Sequence, residues 1–331
     1  MISKRPHENQ TLKITPFSST VTLMPGIVSI LNFCTNDVRY LGKCIQECSL
    51  FSKEIVIPVC DHFFDGTKEN KELLQDLYLR YRECRFIEYA YSDTLLYNPF
   101  VSPSPYDFQM YWYTTSRYIG YLYSDADYLL FLDADEIVEG QRFIDWMQAF
   151  DYEDYEAIRF LSYYYFRDPS YRATTYPTNA LLAKRSALSL TILMNDWDRY
   201  GAFSRIEGKK KGRGVGLDGE PLIHHYSWVK PKEECLKKGA TSGHSWEYDF
   251  PLEIEKEFAH PFQGSDFLFS YTYQKVPPFF DPLSYVPLEP LLQGDTSFVL
   301  RVNHREVMAK ELLGNRNSPG WVVSSAGEGD C

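Results

Sequence analysis

Three carboxylates, Asp133, Asp135 and Glu136, follow directly on the apolar run at residues 128–132, YLLFL. Side chains two apart on an extended chain project to the same side, so Asp133 and Asp135 converge on one point. Like charges held that close repel unless a cation sits between them. Oxygen-only ligands suit Mg2+ or Mn2+, and the oxygens of a nucleoside diphosphate would complete the shell. Such an ion neutralises charge growing on a leaving diphosphate. An Asp-x-Asp pair alone is common on solvated loops, and what selects this one is its place at the end of a buried strand. The competing structural role is the acidic first turn of a helix opening near Glu139.

Residues 208–214 read Gly-Lys-Lys-Lys-Gly-Arg-Gly. Four cations between glycines suggest a mobile loop that closes over a diphosphate, with Lys210 at its centre. A solvated surface loop has the same composition. No phosphate-cradling GxxxxGK[ST] loop occurs. Aromatics make up 16% of the chain, with 26 Tyr and 22 Phe. Trp112, Tyr113, Trp197, Trp228 and Trp246 are candidate rings for stacking on a sugar, Trp197 foremost because its neighbours are polar. Core packing accounts for most of the others.

These residues need a scaffold, and the chain supplies one. Buried strands are expected at 27–33, 54–60, 85–91 and 128–132, separated by helices after residue 36 and over 68–82 and 109–124. That alternation specifies an α/β fold with a mostly parallel central sheet and helices on both faces. Ligands of such sheets bind at the carboxyl ends of the strands, where the acidic cluster stands. Later strands are expected at 158–166, 179–184 and 222–228, a mobile loop over 195–220, and a helix at 231–239. The segment 276–290 carries five prolines and should run extended over the surface. The organisation is then a polar leader (1–24) and one enzyme domain (25–265). The latter divides into a first part (about 25–136) that ends in the acidic cluster and a second part (about 151–265) of different texture. A Pro-rich extension and tail (266–331) follow.

Composition sets the outer limits. The 331 residues are 44% hydrophobic, enough for a sizeable core. Net charge is −11, which argues against nucleic acid as a partner. Seven cysteines without a CxxC pair argue against a disulfide framework and for reduced thiols, hence a cytoplasmic setting. No apolar run approaches 18 residues, so no transmembrane segment is expected. Peripheral membrane contact stays open.

Four segments resemble the family 2 glycosyltransferases of GT-A fold, over about residues 27–262. They are the opening strand IVSILNF, the turn VCDHFFDGT (59–67), the run SRYIGYLYSDADYLLFLDADE (116–136), and HHYSWVKP (224–231) with a later Phe-x-His-Pro at 258–261. The last pair is similar to a subgroup with a His-Tyr-x-Trp-Val-Arg signature. The family's usual Arg-Asn-x-Gly reads Arg117-Tyr118-Ile119-Gly120 here, so the Arg matches and the Asn does not.

The resemblance implies a glycosyltransferase using a nucleotide-sugar, a UDP-sugar by preference, with a glycan or other hydroxyl as acceptor, residues about 25–136 forming its nucleotide-binding part and about 151–265 its acceptor part. Asp61 would contact the nucleobase, Arg117 the donor, and Asp133 the ribose or a metal-bound water. Asp135 and Glu136 would be the surer metal ligands. A His late in the domain often completes the shell; His225 matches, and His224 beside it would point to the opposite face. Inverting transfer also needs a carboxylate base, sought among Asp196, Asp198, Glu207 and Asp218, with Glu207 first and Asp198 second.

Two other classes compete. A haloacid-dehalogenase-type phosphohydrolase also places an Asp-x-Asp at a strand end, its first Asp acting as nucleophile. That motif normally opens its fold, whereas about 130 residues precede it here. A non-catalytic GT-A-like module that binds a nucleotide or glycan would tolerate both the missing Asn and an unclear base.

Overall fold

The computed structural model describes residues 26–92, 105–195, 198–208, 210–245, 248–287 and 292–308. Its first half alternates strand and helix. The strands are β1 (Ile27–Asn32), β2 (Glu54–Cys60), β3 (Arg85–Tyr89), β4 (Tyr128–Asp133) and the short β5 (Glu136–Val138). The helices are α1 (Val38–Cys48), α2 (Lys71–Arg80), α3 (Pro105–Leu122) and α4 (Gly140–Ala149). Strands β3, β2, β1 and β4 lie side by side and parallel. Both sheet faces are covered, which is why these strands read as unbroken apolar runs. Val28, Ile30, Leu129 and Phe131 pack beneath α3, while Ile27, Leu31, Leu130 and Leu132 pack beneath α1, α2 and α4.

Helix α3 sits close against the sheet because residue 120 is glycine. A Cβ there would fall 2.4 Å from Ile30 Cγ2 and 3.2 Å from Pro58 Cγ. Helix α2 starts at Asn70, whose side chain accepts from the Leu73 amide at 3.0 Å, satisfying one donor of its first turn.

The second half corrects the expectation of a mostly parallel sheet. It contributes β6 (Ala157–Phe166), β7 (Asp168–Ala173), β8 (Thr178–Lys184), β9 (Lys211–Gly214), β10 (Ile223–Trp228), β11 (Tyr273–Lys275) and β12 (Leu300–Val302). The sheet runs β11-β7-β6-β8-β4-β1-β2-β3-β12. The pairs β4–β8, β8–β6, β6–β7 and β7–β11 are antiparallel, so the sheet is mixed. The reason is the connections. Only Arg167, at φ 62°, separates β6 from β7, and so short a link joins antiparallel strands.

The helices of this half are α5 (Leu190–Leu193), α6 (Asp198–Arg205), α7 (Lys232–Thr241) and α8 (Phe250–Phe258). The expected mobile loop over 195–220 is also corrected, because it contains α6 and β9, and β9 pairs in parallel with β6. The chain beyond 265 supplies β11 and β12, one at each edge of the sheet. Among the described residues no helix is long and apolar enough to cross a membrane.

Candidate active site

Strand order places β1 between β2 and β4, so the chain reverses direction across the sheet between β1 and β4. Open α/β sheets hold ligands at such a switch point, outside the carboxyl ends of the strands. A cavity of about 340 Å³ opens there. Asn32, Phe33 and Cys34 leave β1 into it, and Asp133 and Asp135 leave β4 into it. The two strands are in register to the last residue, Asn32 opposite Asp133.

Asp133 is saturated by donors. Its Oδ1 accepts from Arg117 Nη2 at 2.7 Å and Asn32 Nδ2 at 3.1 Å. Its Oδ2 accepts from Arg199 Nη2 at 2.8 Å and the Tyr113 hydroxyl at 2.9 Å. Burial opposes the charge, but Arg199 and Arg117 hold this carboxyl well below the usual range. Glu136 is fully buried and does not reach the cavity; it pairs with Arg199 and accepts from the Asp133 amide at 2.9 Å. Desolvation raises its pKa against the pull of Arg199. Asp133 and Glu136 thus form one buried ionic knot with Arg117 and Arg199.

Asp135 is different. Its side chain is 3% exposed, yet Oδ1 accepts no hydrogen bond among the described residues. Buried acceptors are rarely left so. Nε2 of His225 faces this oxygen at 3.5 Å. The pairing of β10 with β5, which sets His225 opposite Glu136, and the Tyr226 amide on the Asp135 carbonyl at 3.0 Å fix that approach. Nδ1 of His225 meets the side-chain amide of Asn179 at 2.7 Å. The atom facing Nδ1 is the Asn179 amide nitrogen, which donates to it and leaves the ring proton on Nε2, toward Asp135 Oδ1; exchanging the two ends of that amide would put its oxygen on Nδ1–H and free the Nε2 lone pair for a metal. Asn32 Oδ1 and Asn36 Oδ1, on two other cavity residues, are likewise buried without a partner.

The donor set therefore fits a hard cation in part. Asp135 and His225 offer one oxygen and one nitrogen. Among the described residues no cluster of three or more His, Cys, Asp or Glu side chains is spaced to hold a metal. Two protein ligands leave most of the shell to a ligand's oxygens and water, the usual habit of Mg2+ at phosphate sites.

The other sequence candidates separate cleanly. Asp198 lines the cavity at the start of α6, with φ 50°, and contacts Arg117 at 2.8 Å and Arg199 at 3.3 Å. Arg117 lies beneath the floor and stacks on Tyr113 at 4.3 Å. Asp61 is outside the cavity, its Oδ1 accepting from the Tyr91 amide at 2.7 Å. Glu207 is exposed beyond α6 and away from the lining. Lys210 pairs with Asp154 at 2.8 Å and stacks on Tyr155 at 4.4 Å, also away from the lining. His224 turns to the opposite face from His225, toward Glu139 at 3.0 Å and Tyr165 at 2.8 Å. Of the ring candidates, Tyr113 and Trp228 line the cavity and Trp112 is buried in the core. Asp196, Trp197 and Trp246 lie outside the described residues.

Sequence reasoning missed Arg199, which ties Asp133 to Glu136, and Lys238 of α7, whose Nζ donates to Asp135 Oδ2 at 2.6 Å. The only signal for Arg199 was its place next to Asp198. For Lys238 there was none beyond its place in the helix expected at 231–239.

No protein-family model matches the sequence, and no curated protein matches it. Among solved structures, the glycosyltransferase GlyE of Streptococcus pneumoniae TIGR4 aligns with 72% of this chain at 13% identity and a TM-score of 0.32. This chain spans 65% of the length of that structure.

Proposed function

We propose that this protein is a glycosyltransferase of GT-A type that moves a sugar from a nucleoside-diphosphate donor to an acceptor hydroxyl with inversion. The observation that carries the reading is the orphaned, buried Oδ1 of Asp135 facing His225 Nε2 in a crevice at the switch point. In this reading Asp135 and His225 hold a divalent cation, Mn2+ or Mg2+. When bound, the ion supplies Lewis-acid neutralisation of the departing diphosphate.

The chain's own residues do the rest. Asp133 organises the floor rather than ligating, since each of its oxygens already accepts two hydrogen bonds. Phe64 and Tyr113, edge to face at 5.2 Å, wall the side of the cavity next to β2 and suit a planar base. Asp198, the one of the base candidates that lines the cavity among the described residues, is assigned here to take the acceptor proton. As that proton leaves, the acceptor oxygen bonds to the anomeric carbon and the bond to the diphosphate oxygen breaks. Glu207 and Lys210 have no part in this scheme, given where they lie.

A saturated Asp133 disfavours the phosphohydrolase reading, because a nucleophilic carboxylate needs a free oxygen. The binding-module reading draws support from one observation: each of Asp37, Asp133, Asp135 and Asp198 already has a cationic partner. A panel of nucleotide-sugars with Mn2+ separates the readings. Release of free nucleoside diphosphate, abolished by chelator, is the expected result; tight UDP binding with no turnover of any donor would leave a binding module.

A further inference from the structure

The side chain that guards Asp135 is itself a cation. Lys238 is 13% exposed, lines the cavity, and donates to Asp135 Oδ2 at 2.6 Å and Asp37 Oδ1 at 3.2 Å. Behind it Lys230, wholly buried, donates to Asp37 Oδ1 and to the Asn36 carbonyl, both at 2.6 Å. Charges alternate along the row Asp135, Lys238, Asp37, Lys230, two negative and two positive, so the row is neutral by itself. Burial works against the Lys238 charge, yet Asp135 and then Asp37 hold its ammonium well above the ordinary lysine range.

That balance has a consequence for the order in which ligands bind. A divalent cation entering alone at Asp135 and His225 would bring two positive charges beside a fixed ammonium, where the Asp135 and Lys238 side chains are only 3% and 13% exposed and charge is weakly screened. A diphosphate arriving with it returns the sum close to zero. It also offers the ammonium of Lys238 an anion, since ammonium groups bind phosphate as point charges.

Resting on the reading of the site given above, we propose that Lys238 is a built-in counter-ion of Asp135 that makes cation binding conditional on the diphosphate. The cation and the nucleotide then occupy the cavity together, each raising the other's affinity by the same factor, as linkage requires. Lys238 is a positioning residue here: it acts through Asp135 and the diphosphate and leaves the transferred sugar untouched. Asp37 and Lys230 serve to hold it.

Calorimetry on the intact chain tests this, with Mn2+ and UDP titrated separately and together. In the wild type, saturating UDP should strengthen Mn2+ binding by about 10- to 100-fold. Lys238→Met frees Asp135, so Mn2+ alone should bind more tightly than to the wild type while the enhancement by UDP shrinks toward unity. Lys238→Arg keeps the charge and should keep the coupling, which covers the case in which the Met variant fails to fold. Equal Mn2+ affinity with and without UDP in the wild type, or coupling unchanged in Lys238→Met, would overturn the proposal. Failure of UDP to bind under any condition would instead remove the nucleotide reading beneath it.

Discussion

His224 and His225, neighbours on β10, face opposite sides of the sheet, and only His225 enters the cavity. The pleat separates two imidazoles into two roles. His224 is packed between Glu139 and Tyr165, and burial pushes its pKa below the ordinary value despite Glu139. A depressed folded-state pKa means stability that is present above the unfolded value, about 6.5, and lost as pH falls below it. Urea denaturation from pH 7.5 to 5 should show this loss, and His224→Gln should flatten it. An identical slope in the variant would remove His224 as the cause.

A second acid transition belongs to Asp133. Its carboxyl is held down by Arg199 and Arg117 against burial, so its contribution persists above about pH 4 and falls away below it. Asp133→Asn removes one partner of a buried ionic knot and leaves two guanidinium groups under-compensated. The expected cost is about 3 kcal/mol in chemical denaturation. A variant as stable as the wild type would mean that Arg117 and Arg199 find other partners.

Phe269 gives a prediction about the acceptor. Buried Asp266 accepts from the amides of Leu268, Phe269 and Tyr271 at 2.8, 2.6 and 3.0 Å, and Ser270 sits at φ 54°. This fixed turn sets Phe269 on the cavity rim, 54% exposed, stacked on Tyr271 at 5.2 Å and edge-on to Tyr164 at 5.6 Å. A ring so presented suits the apolar face of a pyranose. Phe269→Ala should leave the melting temperature nearly unchanged. It should lower transfer to p-nitrophenyl glycoside acceptors by about 10-fold, a stacking contact of about 1.4 kcal/mol, without altering donor hydrolysis by water. Equal loss of both activities would place the ring on the donor side.

The first half of the fold was legible because its strands are buried on both faces. β1, β2 and β4 read as β-branched and leucine runs, and the boundaries of β2 fall where the sequence put them. β7, β11 and β12 were not legible. They are short, polar segments such as DPSYRA and YQK, which hold to the sheet by backbone pairing and give no apolar alternation. The run at 208–214 misled for the same reason, since glycine and lysine carry no strand pattern although β9 pairs with β6. In the site, strand geometry and resemblance together pointed at Asp133 and Asp135 as candidates, whereas for His225 the pleat left His224 as the alternative and only the resemblance chose between them. Arg199 and Lys238 could not, because they come from helices whose approach to the acidic cluster is set by packing.

The most direct measurement is the affinity of UDP for the wild type and for Asp135→Asn, each with Mn2+ and with chelator. Asparagine keeps the shape of residue 135 and removes its charge. The wild type should lose at least about 10-fold in UDP affinity when Mn2+ is withdrawn, and Asp135→Asn should bind UDP equally weakly in both conditions while melting as a folded protein. Undiminished Mn2+ dependence in Asp135→Asn would contradict a cation held at this carboxylate.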